Sequence, residues 1–173
     1  MNHEKTAASG VFAGIERVIS LILEWLAWAA YAVAPLVLRI ALALPFFRSG
    51  LTKWDGFLSL SPAADFLFEE QFKLHIFGGV YDLPAPDTMA FLDGVAEIVL
   101  PILLLVGLAT RFSALGLLVM TGVIQLVVPD GWANFHLPWA TMAIALIAIG
   151  PGVLSLDHLI GMIFRQSKPG GAA

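Results

Sequence analysis

The chain has no cysteine among its 173 residues. That excludes thiol–disulfide exchange, thiolate metal sites, cysteine-ligated iron–sulfur clusters and covalent haem attachment. Charge is scarce too, at 13% of residues, against roughly 25% in soluble domains. The basic sign is the scarcer one, 9 residues against 13 acidic. No surface neutralises a run of phosphates, so nucleic acid is set aside as a partner. The four histidines, at 3, 75, 136 and 158, never form a close pair on one helix, which disfavours a bis-histidine haem. His75 and His136 lack motif spacing, so no metal is expected. No repeat or low-complexity tract appears beyond the short tail at 168–173.

What is abundant is apolar surface, 59% of residues. Four segments, 36–51, 88–108, 112–128 and 137–156, approach the roughly 20 residues that cross a bilayer core. Charge-free runs without alternation favour helices over a β-barrel. The expected fold is all-α, a single integral membrane domain over 1–173. No small-residue cleavage pattern follows the first hydrophobic region, so that region is expected to be retained. Residues 11–31 place Glu16, Arg17, Ser20 and Glu24 on one stripe. They form either an amphipathic surface helix or an extension of the first span, Pro35 being a boundary or a kink.

The second and third spans are joined by only Ala109, Thr110 and Arg111, which makes them antiparallel neighbours. Lys5, Arg17, Arg111, Arg165 and Lys168 fall on one side, and Arg48, Lys53 and Lys73 on the other. This imbalance predicts cytoplasmic termini. Segment 52–87 then lies outside, and its Phe57, Phe66, Phe68, Phe72 and Phe77 predict a folded lid or partial re-entrant hairpin rather than a solvated tail. Trp25, Trp28, Trp54 and Trp132 read as interfacial anchors.

Polar groups inside the spans carry the functional signal. An ionisable side chain at bilayer depth costs about 2.5–3.5 kcal/mol on insertion scales, so it persists by pairing, by facing protein or by performing a task. Arg39, Phe46, Gly50 and Lys53 share one face of the first span, and Asp93 and Glu97, four residues apart, share a face of the second. An Arg39–Glu97 ion pair is expected. It either fixes helix register only, or Glu97 exchanges a proton with a bound polar ligand while Arg39 and Lys53 stabilise negative charge. Burial and a neighbouring cation act oppositely on a carboxyl group, so sequence leaves the charge state of Glu97 open. Gln125 and Thr121 share a face of the third span. With Asp130, Asn134, His136 and Lys53 they suggest the mouth of a polar pocket. The plainer reading of His136 is a helix-end contact with water or headgroups, and of Asn134 a cap on the fourth span. Gly150, Pro151 and Gly152 are expected to end or bend that span, and Ser155 to cap a short amphipathic helix after it.

In order along the chain, LRIALALPFFRSGLTK at 38–53, AEIVLPILLLVGLATRFSA at 96–114 and GPGVLSLD at 150–157 resemble the DoxX family of small four-helix membrane proteins. The resemblance implies a four-helix bundle, a bacterial inner-membrane location, and Arg39, Lys53 and Glu97 as recurring polar positions. It places Gly107 and Arg111 at the inner turn, and Gly150, Pro151, Ser155 and Asp157 in a terminal motif. It also implies a link to redox chemistry, since related DoxD-type proteins belong to a thiosulfate:quinone oxidoreductase and some DoxX proteins to oxidative-stress complexes. The loop with VYDLPAPD and the turn VVPDGWANFH look like a subgroup encoded beside small exported metal-stress proteins.

The leading expectation is therefore a membrane subunit of a redox or stress-response pathway. It binds a quinone-like ligand through Glu97, Arg39, Lys53 and Asp93, with Gln125 and His136 at the mouth, and works with a protein partner. The alternative is a noncatalytic scaffold for a soluble partner, and the third a small-solute or metal permease, which four helices would serve only as an oligomer. Gly14, Gly94, Gly107, Gly116 and Gly122 permit close packing either within the chain or between copies in a homo-oligomer.

Overall fold

The computed structural model describes residues 2–166, with side chains from residue 14 onward. Contacts group the chain into two compact units, 1–34 and 35–173. The first helix, α1 (Asn2–Leu51), contains Pro35 and Pro45. Proline removes one backbone hydrogen bond, which spanning helices tolerate when packing compensates. Pro35 is buried beside Gly152. Residues 11–31 fall within the bounds of this helix. In the first unit Ile15, Val18, Leu21, Ile22, Trp25 and Trp28 are all exposed.

In the second unit, α3 (Pro86–Val106), α4 (Thr110–Val127) and α5 (Leu137–Ile149) accompany the end of α1. A 3₁₀ turn (Pro129–Gly131) and a π turn (Trp132–His136) lead into α5. Among the described residues four helices are long and apolar enough to cross a membrane, so the protein is a mostly helical, multi-pass membrane protein in contact with lipid. The core joins Leu42, Ala43 and Phe46 of α1 to Leu104 of α3, Leu117 of α4 and Leu146 of α5. Buried Ala90, Gly94, Glu97, Pro101 and Leu104 recur at four and three residues along α3, the spacing of one helical face. The fourth span stops at Ile149, short of the expected 156, because Gly150 turns the chain at φ +84°.

Residues 52–85 fold into two antiparallel hairpins, β1 (Trp54–Gly56) with β2 (Ser59–Leu60) and β3 (Lys73–Ile76) with β4 (Gly79–Asp82). Between them lie α2 (Pro62–Phe66) and a π turn (Leu67–Gln71). The β3–β4 turn sets Phe77 and Gly78 at φ 50° and 80°, the two left-handed positions of a tight hairpin. A Lys73–Asp82 ion pair of 2.8 Å closes the open end. The phenylalanines divide: Phe68 packs with Leu83 and Ala90, and Phe72 leans on that cluster, whereas Phe57 and Phe77 are fully exposed. No strands were expected here.

At the opposite end of α3, the turn into α4 is secured by α6 (Leu156–Gln166). The Asp157 carboxylate accepts from Ala109 N and Thr110 N, both at 2.8 Å, and Asp157 N donates to Gly107 O at 2.9 Å. Ser155 Oγ accepts from His158 N at 3.1 Å, capping α6. Asp157→Ala leaves two N-terminal donors of α4 unmatched. It is expected to remove about 1–2 kcal/mol of stability, the range for losing a helix cap. Thermal unfolding in detergent checks this, with Asp157→Asn falling between Ala and wild type.

Candidate functional site

The site forms where the last turn of α1 meets the middle of α3. Thr52 N donates to Ser49 O and Lys53 N to Gly50 O, so the helical turn continues past Leu51 and turns the Lys53 side chain towards α3. Two glycines make the approach close enough. A Cβ on Gly50 would lie 2.9 Å from Glu97 Cβ and 3.0 Å from the Glu97 backbone carbon. A Cβ on Gly94 would meet the Trp54 ring at 2.8 Å and Lys53 Cδ at 3.4 Å. Trp54 also stacks edge-on against Phe91 at 5.5 Å, so it packs on α3 as well as serving any interfacial role.

The Lys53 ammonium then stands between two carboxylates. It ion-pairs with Glu97 Oε2 and with Asp93 Oδ2, the latter at 3.0 Å, and donates to Ser49 Oγ at 3.2 Å. Glu97 is 3% exposed and Lys53 9%. An ammonium with two carboxylates carries net charge −1, and one added proton makes the cluster neutral. In a low-dielectric site that difference is large, which suits a group that exchanges a proton. Beside it is a cavity of about 170 Å³ lined by Pro45, Phe46, Ser49, Ile124 and Trp139 as well as the charged groups and Phe72. Polar donors and acceptors thus sit at one end of an apolar, aromatic-walled space.

Arg39 is elsewhere. Its guanidinium donates from Nη2 to Leu154 O, and Gly107 and Ser155 lie against it. The Arg39–Glu97 pair does not form: Lys53 takes the carboxylate, and Arg39 belongs to the end of the bundle that carries Asp157. Arg39 is 1% exposed, and its Nε and Nη1 have no hydrogen-bond partner among the described residues, nor do Thr110 Oγ1 and Ser113 Oγ.

Gln125 and His136 form their own pair. His136 Nδ1 lies 2.6 Å from Gln125 Oε1, and Gln125 Nε2 donates to Pro129 O at 3.1 Å. The imidazole is 3% exposed, which overturns the expected contact with water or headgroups. Its ring packs at 5.5 Å on Trp139, whose other ring neighbours are Phe46 at 5.0 Å and Phe135 at 6.0 Å. Trp139 therefore stands between this pair and the Lys53 cavity, and neither Gln125 nor His136 lines that cavity. Thr121 bonds its own helix through Leu117 O. Asn134 lies inside the π turn and does not cap α5. His75 Nδ1 contacts Leu126 O at 3.2 Å.

Sequence reasoning missed Ser49, Phe72 and Trp139. Ser49 had a signal, standing one helical turn before Lys53. Phe72 and Trp139 had none, because each comes to the cavity from another segment.

The family described as DoxX matches residues 34–130. An uncharacterized protein of Haemophilus influenzae is 33% identical over 147 residues, an alignment that covers 76% of this chain and 86% of that protein. No solved structure matches.

Proposed function

The chain belongs to the DoxX family, and on that premise we propose that it is a membrane subunit of a redox or stress-response pathway that binds a quinone-like ligand beside Lys53, Asp93 and Glu97. The observation that carries this reading is the Lys53 ammonium held between two carboxylates at the edge of an aromatic-walled cavity within the spanning bundle. The donor set fits such a ligand: Lys53 and Ser49 offer hydrogen bonds to a carbonyl oxygen, and Phe46 and Trp139 offer faces to a ring. A quinone supplies reversible reduction, taking a proton with each electron. Glu97 holds and delivers a proton to the ring oxygen, while Lys53 stabilises the negative charge that accompanies electron arrival from a redox partner. Asp93 keeps Lys53 oriented when Glu97 changes protonation state. Under this reading the site lies towards the outer face of a bacterial inner membrane, both termini being cytoplasmic.

The test compares quinone-to-protein ratios of wild type and Glu97→Gln in native-lipid nanodiscs by solvent extraction and mass spectrometry. Near-stoichiometric quinone in wild type, lost in the variant, is the expected result. Equal background in both would move the assignment to the second reading, a membrane scaffold for a soluble protein. That reading draws on the folded segment 52–85, whose hairpin turns hold Phe57 and Phe77 fully exposed. Deleting residues 73–82 should then release the partner while Glu97 stays intact.

A further inference from the structure

The polar cavity does not stand alone. A second cavity, about 90 Å³, is walled by Phe68, Leu83, Met89, Val123, Val127 and Val128, and shares Phe72, Asp93 and Ile124 with the first. Apart from Asp93 its lining is apolar. A third, about 170 Å³, runs from Ser49 and Lys53 under α2 and again reaches Phe68 and Phe72. Phe72 is the one side chain common to these three spaces.

The backbone of Phe72 is anchored on both sides. Its N–H donates to Leu67 O at 2.8 Å, and the next residue, Lys73, pairs with Asp82. Its ring is half-buried and lies edge-on to Phe68 at 5.1 Å. A fixed backbone with an aromatic ring between cavities is a partition that moves by rotation about its side-chain bonds alone. The apolar slot has a further property. Val123, on its wall, is 40% exposed on spanning helix α4, and the solvent at that depth is hydrocarbon. Lipid can therefore reach one wall of the slot.

From this geometry we infer that the ligand is an amphiphile admitted laterally from the membrane: its polar head rests at Lys53 and Glu97, its hydrocarbon tail lies in the slot between Met89 and Val127, and Phe72 controls whether the two spaces join. This rests on the quinone-binding reading and adds to it what selects among ligands with the same head. Tail length and bulk are read by Phe72, Met89 and Val127, and head chemistry by the charged cluster.

The experiment uses full-length protein in nanodiscs of synthetic phosphatidylcholine, titrated with decyl-substituted benzoquinone and with the same ring lacking the chain. Binding is read from tryptophan quenching against protein-free discs. Val127→Phe fills the slot from α4 and Met89→Phe fills it from α3, so a folding defect in one leaves the other to report. Each should weaken the chain-bearing ligand about tenfold or more, since several methylenes lose their burial, and leave the chainless ring unchanged. Phe72→Ala should speed or tighten binding of the chain-bearing ligand. Glu97→Gln should weaken both ligands alike. If both slot variants bind the two ligands as wild type does, the tail assignment is overturned while the head site stands. If wild type binds neither, the quinone reading falls and the inference with it.

Discussion

Lys53→Met is expected to destabilise the bundle by about 3–5 kcal/mol, the range for removing one partner of a buried ion pair. Methionine keeps the length and apolar stem of lysine, so packing against Gly94 and Trp54 survives and the loss reports the charge. Asp93 and Glu97, four residues apart on one face of α3, would be left without the ammonium that now contacts both. The same principle predicts recovery. Adding Asp93→Asn and Glu97→Gln to Lys53→Met removes the stranded carboxylates and should restore most of the stability without restoring ligand binding. Denaturant unfolding in matched micelles measures both steps. A single variant as stable as wild type would mean that the three charges do not act as a unit.

The second large effect comes from one methyl group. Gly50→Ala puts a carbon 2.9 Å from Glu97 Cβ and 3.0 Å from its backbone carbon. A helix backbone cannot yield as the tip of a flexible side chain can. The α1–α3 contact must open, at about 1–3 kcal/mol for overpacking of this kind, and the Lys53–Glu97 pair should separate with it. Gly122→Ala on α4 is the matched control, since its added carbon meets nothing within 4 Å. The expected pattern is lower thermal stability and lost ligand for Gly50→Ala, with Gly122→Ala close to wild type. Equal behaviour of the two would refute the close α1–α3 approach as the organiser of the site.

These two residues also show how far sequence reasoning reached. The apolar runs located four spanning helices, and helical spacing placed Gly50 and Lys53 on one face and Asp93 and Glu97 on another. Spacing gives direction around a helix and says nothing of depth against a neighbour. Arg39 and Lys53 share their face, yet fourteen residues of helix separate them by about 21 Å. Which of them meets Glu97 is decided by how α1 slides along α3, and the Gly50–Glu97 contact sets that slide. His136 was misread for a related reason. The π turn at Trp132–His136 adds a residue to the turn and brings the ring against Gly131 and Trp139, where helix-end reasoning had it facing out. The hairpins escaped because their strands are two to four residues long. Their turns begin the left-handed stretch at Leu58, φ 55°, and Phe77, φ 50°, residue types that carry no turn signature, and only Gly78 after Phe77 supplies one.

The Asp157 cap carries a consequence for how the protein is made. The donors it satisfies, on Ala109 and Thr110, precede it in the chain by 48 and 47 residues. At a synthesis rate of about 5–20 residues per second, the α3–α4 turn waits roughly 2–10 s for its acceptor. The turn between α3 and α4 is therefore completed only when residues 150–157 arrive, after the whole of α5 has been made.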